Sequence, residues 1–408
     1  MEMMNSLFKK ENLILLCFLA LPFMLFLSSA PITETIMTAH ISHQYALFAF
    51  CVIMAITFIR NRWLSAFMII ASIWLLCILV LAVTYPGMPK FIIQNAFDSL
   101  MFILIGAVVY TIIAASKIPK EVFYNIICVS ALVQAAISLC QFFYADPFIW
   151  FLNTFFHRTI QLLGPHTLTG TLGNNNFLGA YIAISLPFFF RRKWCYFLPL
   201  LAVVLVLANT TTSFVAALVG TSYFIWQITK VFNFRNLMIF AGFIVAAALY
   251  AFLYHPSILD VTSPLARWVL WQEALRQIFY SPMSVLLGYG PGAGWGKPFP
   301  MHNEWLQITH QYGLLGLTLL IGYVVTVTRK NLILFTAFLI VLVNMLGNYP
   351  LHLAPSAFLI IIIAGLLERE KKEEEDGQIQ TMDQGVGQCG NRRGGELHHG
   401  HDCGARSV

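Results

Sequence analysis

A chain of 408 residues with 59% hydrophobic and only 10% charged side chains cannot cover a water-facing surface, so lipid must be its main solvent. The net charge of +6 comes from basic residues dispersed along the chain rather than gathered in a patch, which speaks against a nucleic-acid surface. Among the eight cysteines, Cys17, Cys51, Cys77, Cys128, Cys140 and Cys195 lie in apolar runs, and no C-x-x-C occurs, so neither a disulfide framework nor structural zinc is expected.

The chain opens with Lys9 and Lys10, an apolar stretch from Leu13 to Leu27, then Ser28-Ser29-Ala30. Pro31 after Ala30 disfavours cleavage, so the segment is read as an uncleaved first span. Apolar runs of helical length follow hydropathy at 12–30, 43–59, 63–84, 96–115, 121–143, 173–190, 194–208, 211–229, 236–254, 305–327, 331–346 and 351–367. With the N-terminus cytoplasmic, the inside connections carry Lys9, Lys10, Arg60, Arg62, Lys117, Lys120, Arg191, Arg192, Lys193, Lys230, Arg235, Arg329 and Lys330. The outside connections carry only Lys90, Arg158, Arg267, Arg276 and Lys297. The positive-inside rule therefore predicts both termini in the cytoplasm, with Trp63 and Trp194 as interfacial anchors.

The expected fold is an all-α polytopic membrane protein of about twelve transmembrane helices, occupying residues 1–367. Two outer connections, 144–172 and 255–304, exceed ordinary loop length, and the second contains a helical-looking stretch from Pro264 to Phe279. From Glu368 to the end at 408 the composition changes to a charge run, Lys371 to Asp376, followed by a Gly/Gln/His-rich stretch. A solvated, disordered cytoplasmic tail is expected, and His398, His399, His401 and Cys403 are read as a polar tract rather than a metal site.

Four segments carry polar chemistry. Asn174, Asn175 and Asn176 open an apolar helix, where capping accounts for one asparagine and a polar cavity for the others. Arg158 and His166 precede them in the same outer loop. Arg267, Trp271 and Leu275 share one helical face by their spacing, which alone suggests an amphipathic helix on the membrane with Arg267 reaching headgroups. The glycine run from Gly288 to Lys297 fails as a P-loop, because Pro291 and Pro298 occupy the places of the first Gly and the Ser/Thr. A turn that lets backbone approach a ligand fits it better. Finally His302 and Asn303 stand at the mouth of a span, with Gln307 in its first turns. An imidazole beside an arginine can take a proton from a hydroxyl, although an interfacial histidine is the plainer reading of spacing alone.

Taken together, His302-Asn303, nine residues, Gly313, two residues and Gly316 resemble the H-[NSQ]-x9-G-x-x-[GTY] signature of the O-antigen ligase and polymerase superfamily. The Arg267-x-x-x-Trp271 segment is similar to that superfamily's upstream Arg-x-x-x-Trp, and Gly170 to Asn176 is similar to its G-x-x-G-N-x-N helix start. The resemblance covers residues 150–320 directly. It implies transfer of a glycan from a polyprenyl-diphosphate donor at the periplasmic face of the bacterial inner membrane, without metal, nucleotide sugar or other cofactor. By that analogy His302 activates the acceptor hydroxyl and Arg267 neutralises the diphosphate, while Arg158, Asn174, Asn176, Trp271, Asn303 and Gln307 bind substrate. The family's further Ser-Arg pair is replaced here by Thr211-Thr212-Ser213-Phe214, leaving Arg158, Arg276 or Lys297 to supply that charge.

The expected activity is O-antigen ligation, with the lipid A core sugar as acceptor. Polymerisation, with a second lipid-linked repeat unit as acceptor, shares the chemistry. A protein O-oligosaccharyltransferase and a polysaccharide transporter are the remaining alternatives. Transport is disfavoured because no acidic residue falls within a span beyond Asp98 near a helix end, and no half-repeat is evident.

Overall fold

The structure, a computed structural model, describes residues 106–143, 168–229, 262–290 and 301–391 with single-residue gaps, together with Ile73 and Cys77. The predicted spans 12–30, 43–59 and 236–254, and the site candidate Arg158, lie outside the described residues. Among the described residues the secondary structure is entirely helical.

Among the described residues, helices occupy the predicted apolar runs at 121–143, 173–190, 194–208, 211–229, 305–327, 331–346 and 351–367, and two more lie in the long connection before 305. In chain order they are α1 (Lys120–Phe142), α2 (Asn175–Ser185), α3 (Leu198–Leu207), α4 (Thr211–Thr229), α5 (Thr262–Ile278), α6 (Pro282–Leu287), α7 (Glu304–Thr326), α8 (Leu332–Asn344) and α9 (Ala354–Asn391). A 3-10 turn, Leu186–Phe190, prolongs α2, with Pro187 early in it. α1 and α7, each 23 residues, are long and apolar enough to cross a membrane. The core between the helices is built from large apolar side chains such as Phe188, Phe189, Leu178 and Ile182, all fully buried.

Hydrogen bonds and ion pairs sort the helix ends into two groups. At one end, Lys120 at the start of α1 pairs with Glu370 at 2.7 Å and Glu373 at 2.5 Å on α9. Arg191, after α2, pairs with Glu121 on α1, and Lys330, before α8, pairs with Glu374 at 3.2 Å. Asn331 donates to Glu370 at 2.7 Å and to the Tyr124 hydroxyl at 3.0 Å. At the other end, Asn344 on α8 donates to Ser213 on α4 at 3.3 Å, and the Glu304 amide at the start of α7 donates to Met345 at 2.9 Å. Helices α2, α4, α7 and α9 thus run one way and α1 and α8 the other, with the basic connections together at one end.

Two features depart from the sequence reading. Helix α9 does not stop near residue 367 but continues to Asn391. The charge run behaves as helix because Glu and Lys are strong helix formers, and because Arg369 and Glu373 pair at i, i+4, 2.9 Å apart. The segment 368–391 is therefore helical rather than an irregular tail.

The second departure is that residues 168–172 form a buried irregular segment against α1. Two glutamines on α1, both buried, complete its backbone hydrogen bonds. Gln141 Oε1 accepts from the amides of Thr169 at 2.9 Å and Gly170 at 2.8 Å, and its Nε2 donates to the Gly170 carbonyl at 2.8 Å. Gln134 accepts from the Thr171 amide at 2.9 Å and donates to the Thr171 hydroxyl at 2.6 Å. Non-helical backbone away from water is stable only when protein supplies its partners, and these side chains do so.

Candidate functional site

The site is built where α5, the start of α7 and the connection after α8 meet. α7 begins with a cap: Asn303 Oδ1 accepts from the Leu306 amide at 3.1 Å, while its Nδ2 donates to the Leu346 carbonyl at 3.0 Å. His302, immediately before that cap, has φ +49°, in the left-handed region. Holding a histidine there costs about 1–2 kcal/mol, which the surrounding hydrogen bonds must offset.

α5 turns Arg267 and Trp271 toward the start of α7 and the connection after α8. The Arg267 guanidinium donates to the Gly347 carbonyl at 3.0 Å, and Trp271 Nε1 donates to the Met301 carbonyl at 2.7 Å, one residue from His302. The interior face continues through the buried Ala274 and Ile278, whereas Leu275 is 38% exposed. The face expected from Arg267, Trp271 and Leu275 therefore holds for the first two residues only. The expectation that Arg267 reaches out to headgroups is also corrected: its guanidinium is engaged by protein backbone. Trp268 on α5 and Phe279 just after its end are exposed instead.

Arg267 acts electrostatically on His302. Burial pushes the imidazole below the ordinary histidine value, and the positive charge of Arg267 pushes it further the same way. At neutral pH His302 is therefore uncharged, the form that can accept a proton. Gln307 follows one turn deeper along α7 and is buried.

The glycines after His302 have a structural reason. Gly313 has φ +64° and ψ −168°, and interrupts α7. The carbonyls of His310 and Gln311 are taken instead by the amides of Tyr289 and Gly290, each at 2.8 Å. A Cβ on Gly313 would overlap the Leu286 backbone, so the end of α6 packs against the break main chain to main chain. Gly316 lies over Tyr312, where a Cβ would meet that side chain. His310, just before the break, stacks on Tyr289 at 4.8 Å, and its Nε2 lies 2.9 Å from Gln277 Oε1.

No protein-family model matches the chain, and no curated protein matches it closely enough to count as a relative.

The remaining expected residues sit apart from this centre. Asn174 is the N-cap of α2, its Oδ1 accepting from the Asn176 amide at 2.8 Å; Asn175 Oδ1 reaches the same amide at 2.9 Å. Two of the three asparagines are thus spent on one helix start. That start is linked to the centre indirectly. Gly179 packs on Thr210, Thr212 faces Gly347, and Ser213 accepts from Asn344. The Arg276 side chain is 80% exposed and pairs with Glu273 at 3.0 Å, on the side of α5 away from Arg267. Within Thr211 to Phe214, Ser213 joins a neutral cluster with Asn344 and Asn348.

Sequence reasoning overlooked Glu304 and the residues from Asn344 to Leu351. Glu304 is fully buried, and its carboxylate accepts from the Leu351 amide at 2.9 Å. The available signal was Asn344 and Asn348, two amides four residues apart at the end of an apolar run.

Proposed function

We propose that this chain is a glycan transferase of the O-antigen ligase and polymerase type, a twelve-span protein of the bacterial inner membrane with both termini cytoplasmic and its site on the periplasmic side. The observation that carries the reading is the joining of Arg267 and His302. A guanidinium is held within electrostatic reach of a buried imidazole at the start of an apolar helix, both elements being fixed by backbone hydrogen bonds. The alternation of basic residues supports the orientation.

The chemistry follows from those two groups. His302 takes the proton of the acceptor hydroxyl as its oxygen attacks the anomeric carbon of the donor sugar. The bond from that carbon to the diphosphate oxygen breaks, and polyprenyl diphosphate leaves with the electron pair. The Arg267 guanidinium stabilises the charge gathering on the leaving group. The proton on His302 then passes to water, which restores the base.

A transporter would also have broken helices, as α7 is broken at Gly313. Here the carbonyls at the break are occupied by the amides of Tyr289 and Gly290, which makes the break a seat for α6 rather than an ion site. Expression in strains lacking either the ligase or the polymerase tests the reading and its acceptor together. A restored lipopolysaccharide ladder in the ligase-deficient strain is expected. Restoration only in the polymerase-deficient strain assigns a lipid-linked acceptor, and restoration in neither overturns the proposal.

A further inference from the structure

The connection between α8 and α9 anchors the site through backbone hydrogen bonds. Its carbonyls accept from every element of the centre. Met345 and Asn348 accept from the Glu304 amide at 2.9 and 3.1 Å, Leu346 from Asn303 Nδ2 at 3.0 Å, and Gly347 from Arg267 at 3.0 Å. In return, the Leu351 amide donates to the Glu304 carboxylate at 2.9 Å. A second layer supports it from behind: Asn348 Nδ2 donates to Asn344 Oδ1 at 2.9 Å, and Asn344 Nδ2 donates to Ser213 at 3.3 Å.

We infer that Asn344 to Asn348, with Leu351, are the positioning element of the site, and that Gly347 and Asn348 set where the Arg267 guanidinium stands relative to His302. The inference rests on the reading above that Arg267 and His302 serve one substrate. A carbonyl suits this task better than a carboxylate would. It orients the guanidinium through a hydrogen bond without itself neutralising the positive charge, whereas an acid would. The acid nearest in sequence to His302, Glu304, receives the Leu351 amide. The ligand class that such an oriented cation takes is a phosphate or diphosphate ester.

The depth of the connection is set by one contact. A Cβ on Gly347 would stand 2.5 Å from Thr212 Oγ1 and 2.8 Å from its Cγ2, but 3.2 Å from its Cβ. Gly347 therefore packs directly on the Thr212 side chain, and Gly347→Ala must displace the connection. Truncation of the facing residue, Thr212→Ala, removes both of the close atoms and should let the alanine fit.

The test uses the full chain in detergent, with His302 followed by NMR titration of isotopically labelled histidine and assigned by loss of its signal in His302→Gln. Gly347→Ala should raise the His302 value by roughly half a pH unit, because Arg267 loses its anchor and its charge withdraws. The Thr212→Ala/Gly347→Ala double variant should return it. Asn348→Ala, which removes the support without adding bulk, should shift it in the same direction as Gly347→Ala. An unchanged His302 in both single variants overturns the inference, as does a shift in Gly347→Ala that persists in a double variant melting like the wild type. Transfer rates form a separate arm. With active wild type, Gly347→Ala should be about 10–100-fold slower and the double variant largely recovered. A wild type without transfer activity removes the proposed function, and the titration still decides the positioning role.

Discussion

The guanidinium of Arg267 donates to the carbonyl of Gly347 at 3.0 Å, across 80 residues of sequence. That bond turns a loop arginine, which could have faced lipid headgroups, toward the start of α7 and its histidine. The site is thus assembled from a loop helix, a span start and the connection after α8.

Loss of Arg267 should be severe and chemically graded. Arg267→Ala should lower glycan transfer about 100–1,000-fold with unchanged membrane levels, the usual cost of removing one charge-stabilising donor. Arg267→Lys keeps the charge but loses the planar fork, so it should fall between. Transfer assays paired with immunoblots of membranes separate activity from abundance.

The pH dependence follows from His302. Its folded value lies below the ordinary one, through burial first and Arg267 second, so the neutral base persists through neutrality. Transfer should be flat near pH 7 and fall only as pH drops below the ordinary histidine range and through the lowered value. Arg267→Gln should move that acid limb upward without restoring the ordinary value, because burial remains. A pH profile of residual transfer in the variant checks the sign.

Much of this architecture was legible in the sequence. The runs at 121–143, 211–229 and 305–327 coincide with α1, α4 and α7 to within a residue or so, because hydropathy over a span-length window is a strong signal. Arg267 and Trp271 were legible as a pair through their i, i+4 spacing, although Leu275 turned out to lie off the face. What could not be read was anything made by pairing distant polar groups. Gln134 and Gln141 look like ordinary helix residues until Thr169 to Thr171 fold against them. Gly313 marks a helix break only because α6 comes to pack there.

Gly313→Ala should destabilise the protein by about 2 kcal/mol or more. The left-handed backbone is unfavourable to alanine, and the new methyl meets the backbone of Leu286 rather than a movable side chain. A lower melting temperature in detergent, with reduced accumulation in membranes, is the expected outcome.

Gln141→Ala leaves the buried amides of Thr169 and Gly170 without the oxygen that accepts from both. A cost of about 1–3 kcal/mol per unsatisfied group is expected. Hydrogen exchange should quicken at residues 169–171 before it does in α7, which distinguishes local loosening from global unfolding.

The charged part of α9 should matter only as far as its ion pairs reach. Removing residues 376–408 should leave melting and transfer unchanged. Removal from Glu368 onward should lower stability, since Glu370, Glu373 and Glu374 bind Lys120, Asn331 and Lys330. Burial works against the charge of Glu373, but Lys120 and Arg369 outweigh it and hold its carboxyl below the ordinary value. Its contribution is thus present above the ordinary carboxylate range and lost as pH falls through the lowered one, which comparative melts of the two truncations would detect.

The central claim is transfer from a lipid-linked donor through His302 and Arg267. Its most direct test is the purified chain in lipid vesicles, supplied with polyprenyl-diphosphate glycan and either lipid A core or a second lipid-linked unit. Release of polyprenyl diphosphate with matching acceptor glycosylation is predicted for the wild type, and neither product for His302→Ala. Equal transfer by His302→Ala and the wild type would contradict it.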